Sequence, residues 1–235
     1  MQIISVNVGM PREVTYRDRT YATAIYKTPV PGRVTLRHLN IDGDAQGNPK
    51  NHGGPDMAVY AFGHEHYAHW ANDLGRNDLT PGAFGENLTV TGMPEDEIAV
   101  GDIFAIGDVR LQVTEPRTPC HKLAMKFKDD DLPRRFAATG HVGFYFRVLA
   151  AGEIGAGDEI ALVSRDPARL SIAEVLGLWA DPAAAPARLA RALSVPALSA
   201  TWRGRFARRF AASTGGTGPL EWSHQKLTWL EDRGS

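Results

Sequence analysis

The chain has 235 residues, 43% of them hydrophobic and 23% charged, enough to bury a sizeable core. Its 26 basic and 27 acidic side chains leave a net charge of -1, which gives no electrostatic footprint for a nucleic acid polymer. One cysteine cannot form an internal disulfide, the opening MQIISVNVGM lacks the charged and apolar regions of a leader, and no run nears the roughly 18 apolar residues of a membrane span. A cytoplasmic protein without a membrane partner is the expectation.

Segments rich in β-branched and aromatic residues and bounded by Gly, Pro or Asp predict strands over 2–9, 23–30, 33–41, 86–92, 102–107, 109–115, 143–152 and 159–165. With tight Gly-Asp turns in VGDIFAIGD and AGDEIAL, they predict a mainly β unit, a barrel or a sandwich. AVYAFGHEHYAHWANDLG, residues 58–75, carries apolar groups near helical spacing and ends at Gly75, which predicts an inserted helix with a glycine cap. A second short helix is predicted after the carboxylates of Asp129 to Asp131.

Beyond Arg165 the strand pattern stops. SIAEVLGLWA, AAPARLARALS and SATWRGRFARRFAA predict three helices, the first capped by Ser171 with Glu174 in the capping-box position. The chain is therefore divided into a β unit over 1–165 and a helical unit with its tail over 166–235. Arg188, Arg191, Arg203, Arg205, Arg208 and Arg209 read as a solvated helix surface in preference to a face for an acidic partner. Trp202, Phe206, Phe210 and Trp222 could fill the helical core or make a homodimer contact.

HEHYAH resembles a zinc-protease motif, but His64 and His69 stand five apart where one helix face requires four. GDAQG and TGGTG lack both the dinucleotide and the P-loop spacing. Two segments remain. In GDAQGNPKNHGGPDMAV, Lys50 and His52 precede Gly53, Gly54 and an expected helix start near Asp56, so that backbone N–H groups, a helix end and a lysine can face an anion.

In TEPRTPCHKLAMKF, Arg117, Thr118, His121 and Lys122 surround Cys120, and Pro116 and Pro119 stiffen the loop. Cationic neighbours favour a thiolate, which is either a nucleophile or a soft metal ligand. A lone cysteine is often just a small buried hydrophobe, but burial among these cations would be costly. In an extended chain His121 and Lys122 face opposite sides, so one of them enters the site. Asn87, in PGAFGENLTV, is a further candidate for a ligand contact or a turn. Together the segments read as a site for a phosphate-bearing cofactor with one sulfur ligand.

HGGPDMAVYAFGHEHY, PGAFGENLTVTG, VGDIFAIG, LQVTEPRTPCHKLA and GFYFRVLAAG, in this order, resemble the MOSC domain of the YiiM type, and the region after residue 165 resembles its companion three-helix domain. The resemblance implies a mainly β, MOSC-type β-barrel with a few inserted helices that binds molybdenum cofactor, Mo-molybdopterin, through Cys120 as the metal ligand. It also implies two-electron reduction of N-hydroxylated compounds such as N-hydroxylaminopurine-type base analogues, with electrons from an external flavin reductase. On that reading Lys50 and Arg117 face the anionic cofactor and His52 delivers a proton or orients the substrate. Such sequences commonly read HGGPDKAV, whereas here Met57 takes the lysine position. Two other classes are carried: a non-catalytic molybdenum cofactor carrier, and a cofactor-free thiol enzyme.

Overall fold

The computed structural model describes residues 1–47 and 53–215. Its strands are β1 (Gln2–Val8), β2 (Arg12–Tyr16), β3 (Arg19–Thr23), β4 (Thr28–Pro29), β5 (Arg33–Leu36), β6 (Val59–Gly63), β7 (Leu88–Thr91), β8 (Ile103–Ile106), β9 (Val109–Pro116), β10 (Phe144–Ala150), β11 (Gly152–Gly155) and β12 (Ala161–Ser164). Inserted among them are helices α1 (Tyr67–Leu74), α2 (His121–Phe127) and α3 (Leu132–Ala138); α4 (Ile172–Ala180), α5 (Pro186–Leu193) and α6 (Ala200–Ser213) follow. No described helix is long and apolar enough to cross a membrane.

Eight strands form one curled sheet in the order β12-β8-β9-β10-β6-β7-β1-β4, antiparallel except for the β6–β7 pair. The sheet bends back on itself at β1. Ile3 donates to the Asp158 carbonyl at 2.9 Å, Gly157 donates to the Ile3 carbonyl at 2.8 Å, and Gln2 bridges Glu159, just before β12. The barrel expected from the strand pattern is thus present as a mainly β unit with inserted helices.

β9 shows why the centre of the sheet is stable. Val109, Leu111 and Val113 are buried while Arg110 and Gln112 are partly exposed, the alternation of a sheet with one wet face. From Val113 onward every residue is buried, because the C-terminal helices cover the second face. Val113, Phe144 and Phe146 share one apolar cluster with Ile172, Val175, Leu178, Leu189, Trp202 and Phe206. Trp202 and Phe206 therefore fill the chain's own core; Trp222 lies outside the described residues.

Several local expectations are corrected. The run 58–75 is a fully buried strand, a 3₁₀ turn at His64–His66 and only then a helix, which ends as expected on left-handed Gly75 at φ 61°. Its apolar first half fits either periodicity, and parallel pairing with β7 decides for strand. Of residues 23–30 only Thr23, which ends β3, and β4 lie in strands, since the Thr23 hydroxyl accepts from the Ile25 amide at 3.2 Å and turns the chain.

The β2–β3 hairpin escaped the strand pattern because Arg17 and Asp18, both at positive φ, form its turn without the usual glycine. Ser171 caps α4 as expected, but the Glu174 carboxylate pairs with Arg191 at 2.6 Å. Arg191, Arg203 and Arg209 donate to the backbone carbonyls of Ala168, Leu193 and Leu178, so these three arginines are more than a solvated face.

Gly143 sits at φ 72°, and a Cβ there would stand 2.2 Å from the Ala61 carbonyl oxygen on β6. Gly143→Ala should lower unfolding free energy by about 2–4 kcal/mol in a denaturant titration; an unchanged midpoint would contradict this packing.

Glu115, 2% exposed on β9, faces Ser199 and Arg205 of the C-terminal region. Burial pushes its carboxyl up to about 7, against partial relief from the Ser199 hydroxyl and the Arg205 charge. Between the ordinary 4.5 and about 7 the folded chain holds a proton that the unfolded chain releases, so stability falls as pH rises through this window. Glu115→Gln should flatten that slope, which reaches at most about 1.4 kcal/mol per pH unit. Parallel profiles for the two proteins would refute the assignment.

Candidate functional site

At one rim of the barrel a cleft opens between the end of β9, the segments around Lys27 and Asp44, and the starts of β6 and β10. Arg117, Thr118, Cys120 and Lys122 line one wall; Lys27, Asp44, Asn87 and Gly85 line another; Met57, Tyr60 and Tyr145 lie between. β9 reaches Pro116, and the Arg117 amide then donates to the Gly143 carbonyl at 3.1 Å. The chain leaves the sheet through Thr118 and Pro119 to Cys120, whose extended backbone at φ −135° precedes α2. The Cys120 thiol makes no cap to that helix and lines the half-open cleft.

Arg117 dominates the electrostatics. It is 6% exposed, its Nη1 donates to the Tyr60 hydroxyl at 3.1 Å, and its guanidinium lies over the Tyr60 and Phe136 rings at 4.8 and 5.5 Å. Among the described residues no carboxylate pairs with it. Burial opposes its charge, but the Tyr60 hydroxyl accepts from it and its surroundings hold it above the ordinary arginine value, so it stays cationic. The phenols remain neutral in turn: burial lifts Tyr60 far above its ordinary range, and Tyr145 is pushed up to about 12. A buried, uncompensated cation beside a half-exposed thiol is a ready place for an anion.

Lys27 is buried too, but it pairs with Asp44, whose other oxygen accepts from Asn87 Nδ2 at 2.9 Å. Asn87 Oδ1 accepts from the Tyr60 amide at 3.1 Å. Asn87 thus borders the cleft while fixing Asp44 and β6, a positioning job the sequence left open. Below the cleft, Lys126 donates to the carbonyls of Ile25 and Gly82. Burial brings it down to about 8, with Arg117, Lys27 and Arg12 repelling it and Glu86 pulling the other way. Fully buried Glu86 accepts from the Gly82 and Phe84 amides, Thr89 and Tyr67, which holds the PGAFGENL loop against the cleft.

Of the residues singled out in the sequence, Arg117, Thr118, Cys120, Lys122 and Asn87 converge on the cleft. His121 turns instead onto the Tyr21 ring at 4.9 Å, because the two residues begin a helix. The expected helix start at Asp56 is a three-residue 3₁₀ turn, Pro55–Met57, behind Gly54 at φ 95°. Asp56 points to Arg147, with Nε at 3.0 Å, so it does not reach toward the cleft, and the turn is too short for a useful dipole. Gly53 lies at the edge of that turn; Lys50 and His52 lie outside the described residues.

Tyr60, Tyr145, Lys27 and Asp44 escaped sequence reading. Their strand or loop context looks like ordinary core and surface, and only the β6–β10 pairing of Tyr60 with Tyr145 brings the two rings together.

The MOSC domain family matches residues 48–161. YflK of Bacillus subtilis (strain 168) is 38% identical over 207 residues, covering 88% of this chain and 93% of that protein. The crystal structure of YiiM from Geobacillus stearothermophilus superposes with a TM-score of 0.76 at 40% identity, covering 89% of this chain and 99% of that one. A protein named "Reductase" from Gibberella moniliformis (strain M3125 / FGSC 7600) is 38% identical over 156 residues, 65% of this chain but 28% of that protein. With relatives aligned over nearly their whole length and the same curled sheet, the chain belongs to the MOSC domain family, in its YiiM type, a family associated with molybdenum cofactor.

Proposed function

We propose that the chain is a molybdenum cofactor-dependent oxidoreductase that reduces N-hydroxylated compounds, including N-hydroxylaminopurine-type base analogues, to amines. The observation that carries the proposal is Arg117, a buried guanidinium with no carboxylate partner among the described residues, set beside the thiol of Cys120 in an open cleft. A soft sulfur donor next to an anion-seeking cation suits a metal carried on a phosphate-bearing pterin. The name of the fungal relative supports a redox reading.

Bound there, the cofactor supplies two-electron oxygen-accepting chemistry. In the net reaction, R–NHOH takes up two electrons and two protons, the N–O bond breaks, and R–NH2 and water leave. Cys120 offers the thiolate; Arg117 and Lys122 hold the anionic part. Tyr60 fixes the Arg117 fork through its hydroxyl, which itself donates to the Val142 carbonyl at 2.8 Å. Met57 leaves an apolar contact where related sequences carry a lysine, so Lys122 and Arg117 take a larger share of the anion. Lys50 and His52 join the phosphate and the proton path in this proposal, and a cytoplasmic flavin reductase donates the electrons. The three-helix region from about residue 166 acts as a companion unit to the barrel.

The test is molybdenum and pterin content of protein from a cofactor-making host, wild type against Cys120→Ala, followed by turnover of an N-hydroxylated substrate with a chemical reductant. Near-stoichiometric metal in the wild type, lost with activity in the variant, is expected. Metal without turnover would leave a carrier; thiol-dependent activity without metal would leave a thiol enzyme. His52→Gln should cut turnover at least about 100-fold while metal content stays the same; unchanged turnover would remove His52 from the proton path.

A further inference from the structure

Away from the cleft, three chain segments bring together a second set of donor atoms. His66 closes the 3₁₀ turn after β6, Glu95 lies in the loop after β7, and His141 stands between α3 and β10. His66 Nε2, a Glu95 carboxylate oxygen and a His141 ring nitrogen lie within 4.8 Å of one another. We propose that His66, Glu95 and His141 form a zinc site of His₂Glu type, with its fourth position open to water.

The geometry suits coordination as well as hydrogen bonding. Both rings aim at the same oxygen, Glu95 Oε2, at 3.2 Å from His66 Nε2 and 3.3 Å from His141 Nδ1. Those separations exceed the usual N–H···O length of about 2.9 Å. They approach the roughly 3.4 Å between donors placed about 2.1 Å from a tetrahedral ion. The other carboxylate oxygen, Oε1, accepts from the Gly143 amide at 3.0 Å, so Oε2 is held out as a single ligand by an oriented partner.

The two rings stack with centroids 4.3 Å apart and 20° between planes, so each helps hold the other in place. Gly63 also makes room: a Cβ there would come within 3.1 Å of His66 Nε2. Glu95 is 3% exposed and is held between the two rings and the Gly143 amide. His141, at 55% side-chain exposure, leaves the outer side open to solvent.

The site would brace the cleft from behind. Gly143, held by Glu95 through its amide, receives the Arg117 amide on its carbonyl.

The experiment is equilibrium dialysis of the full chain against Zn2+ alone, with melting curves, for wild type, His141→Ala and Cys120→Ser. His141 meets the cluster through Glu95 and the His66 ring and is exposed, so its truncation leaves the core intact. One saturable ion in the wild type and in Cys120→Ser, with a zinc-dependent rise in Tm, and binding weakened more than about 10-fold in His141→Ala, is expected. Equal uptake by wild type and His141→Ala overturns the proposal. So does loss of the ion in Cys120→Ser, or a thiolate-to-metal charge-transfer band when Co2+ replaces Zn2+. If His141→Ala fails to fold by circular dichroism, His141→Gln serves in its place.

Discussion

Keeping a guanidinium charged while it is 6% exposed is the constraint around which the cleft is organised. Removing an ion from water costs several kcal/mol, and an ordinary protein answers with a carboxylate. Here the answer is distributed: two phenols, two aromatic faces and one thiol surround Arg117, while the barrel supplies backbone to hold it. Lys27 shows the usual alternative a short distance away, where Asp44 neutralises the charge and Asn87 fixes the pair. The contrast explains why one cation in the cleft is structural and the other is available. Lys126, beneath, is depressed first by its burial, with Arg117, Lys27 and Arg12 adding to it against Glu86.

The constraint reaches outward through Gly143. No other residue could take its conformation so close to β6, and its two backbone groups are held from opposite sides by Glu95 and Arg117. Two clusters with different chemistry therefore meet at one residue. The hard imidazole and carboxylate set suits an ion that stays put; the soft thiol suits one that changes oxidation state.

Much of this was legible in the sequence, for identifiable reasons. The strands with clean alternation, β1, β8, β9 and β10, announce themselves because one face is wet. The first C-terminal helix carries a start signal at Ser171 that the backbone obeys. Cys120 stood out because cations and prolines crowd it. β6 did not, since a strand buried on both faces has no alternation to read. Tyr60, Tyr145 and Lys27 did not because their importance comes from partners far along the chain. His66 is the sharpest case: the spacing of HEHYAH rules out a helical pair of ligands, yet says nothing about Glu95 and His141 arriving from elsewhere.

The closure of the sheet at β1 has a consequence for how the protein is made. Gln2 and Ile3 on β1 find their partners at Thr91 and Val90 on one edge and in the segment 157–160 on the other. Contacts of such sequence separation place the fold among the slow, high contact-order class. β1 must therefore stay uncovered on one edge until the segment 157–160 has been made, which makes the nascent strand a natural binding segment for holding chaperones.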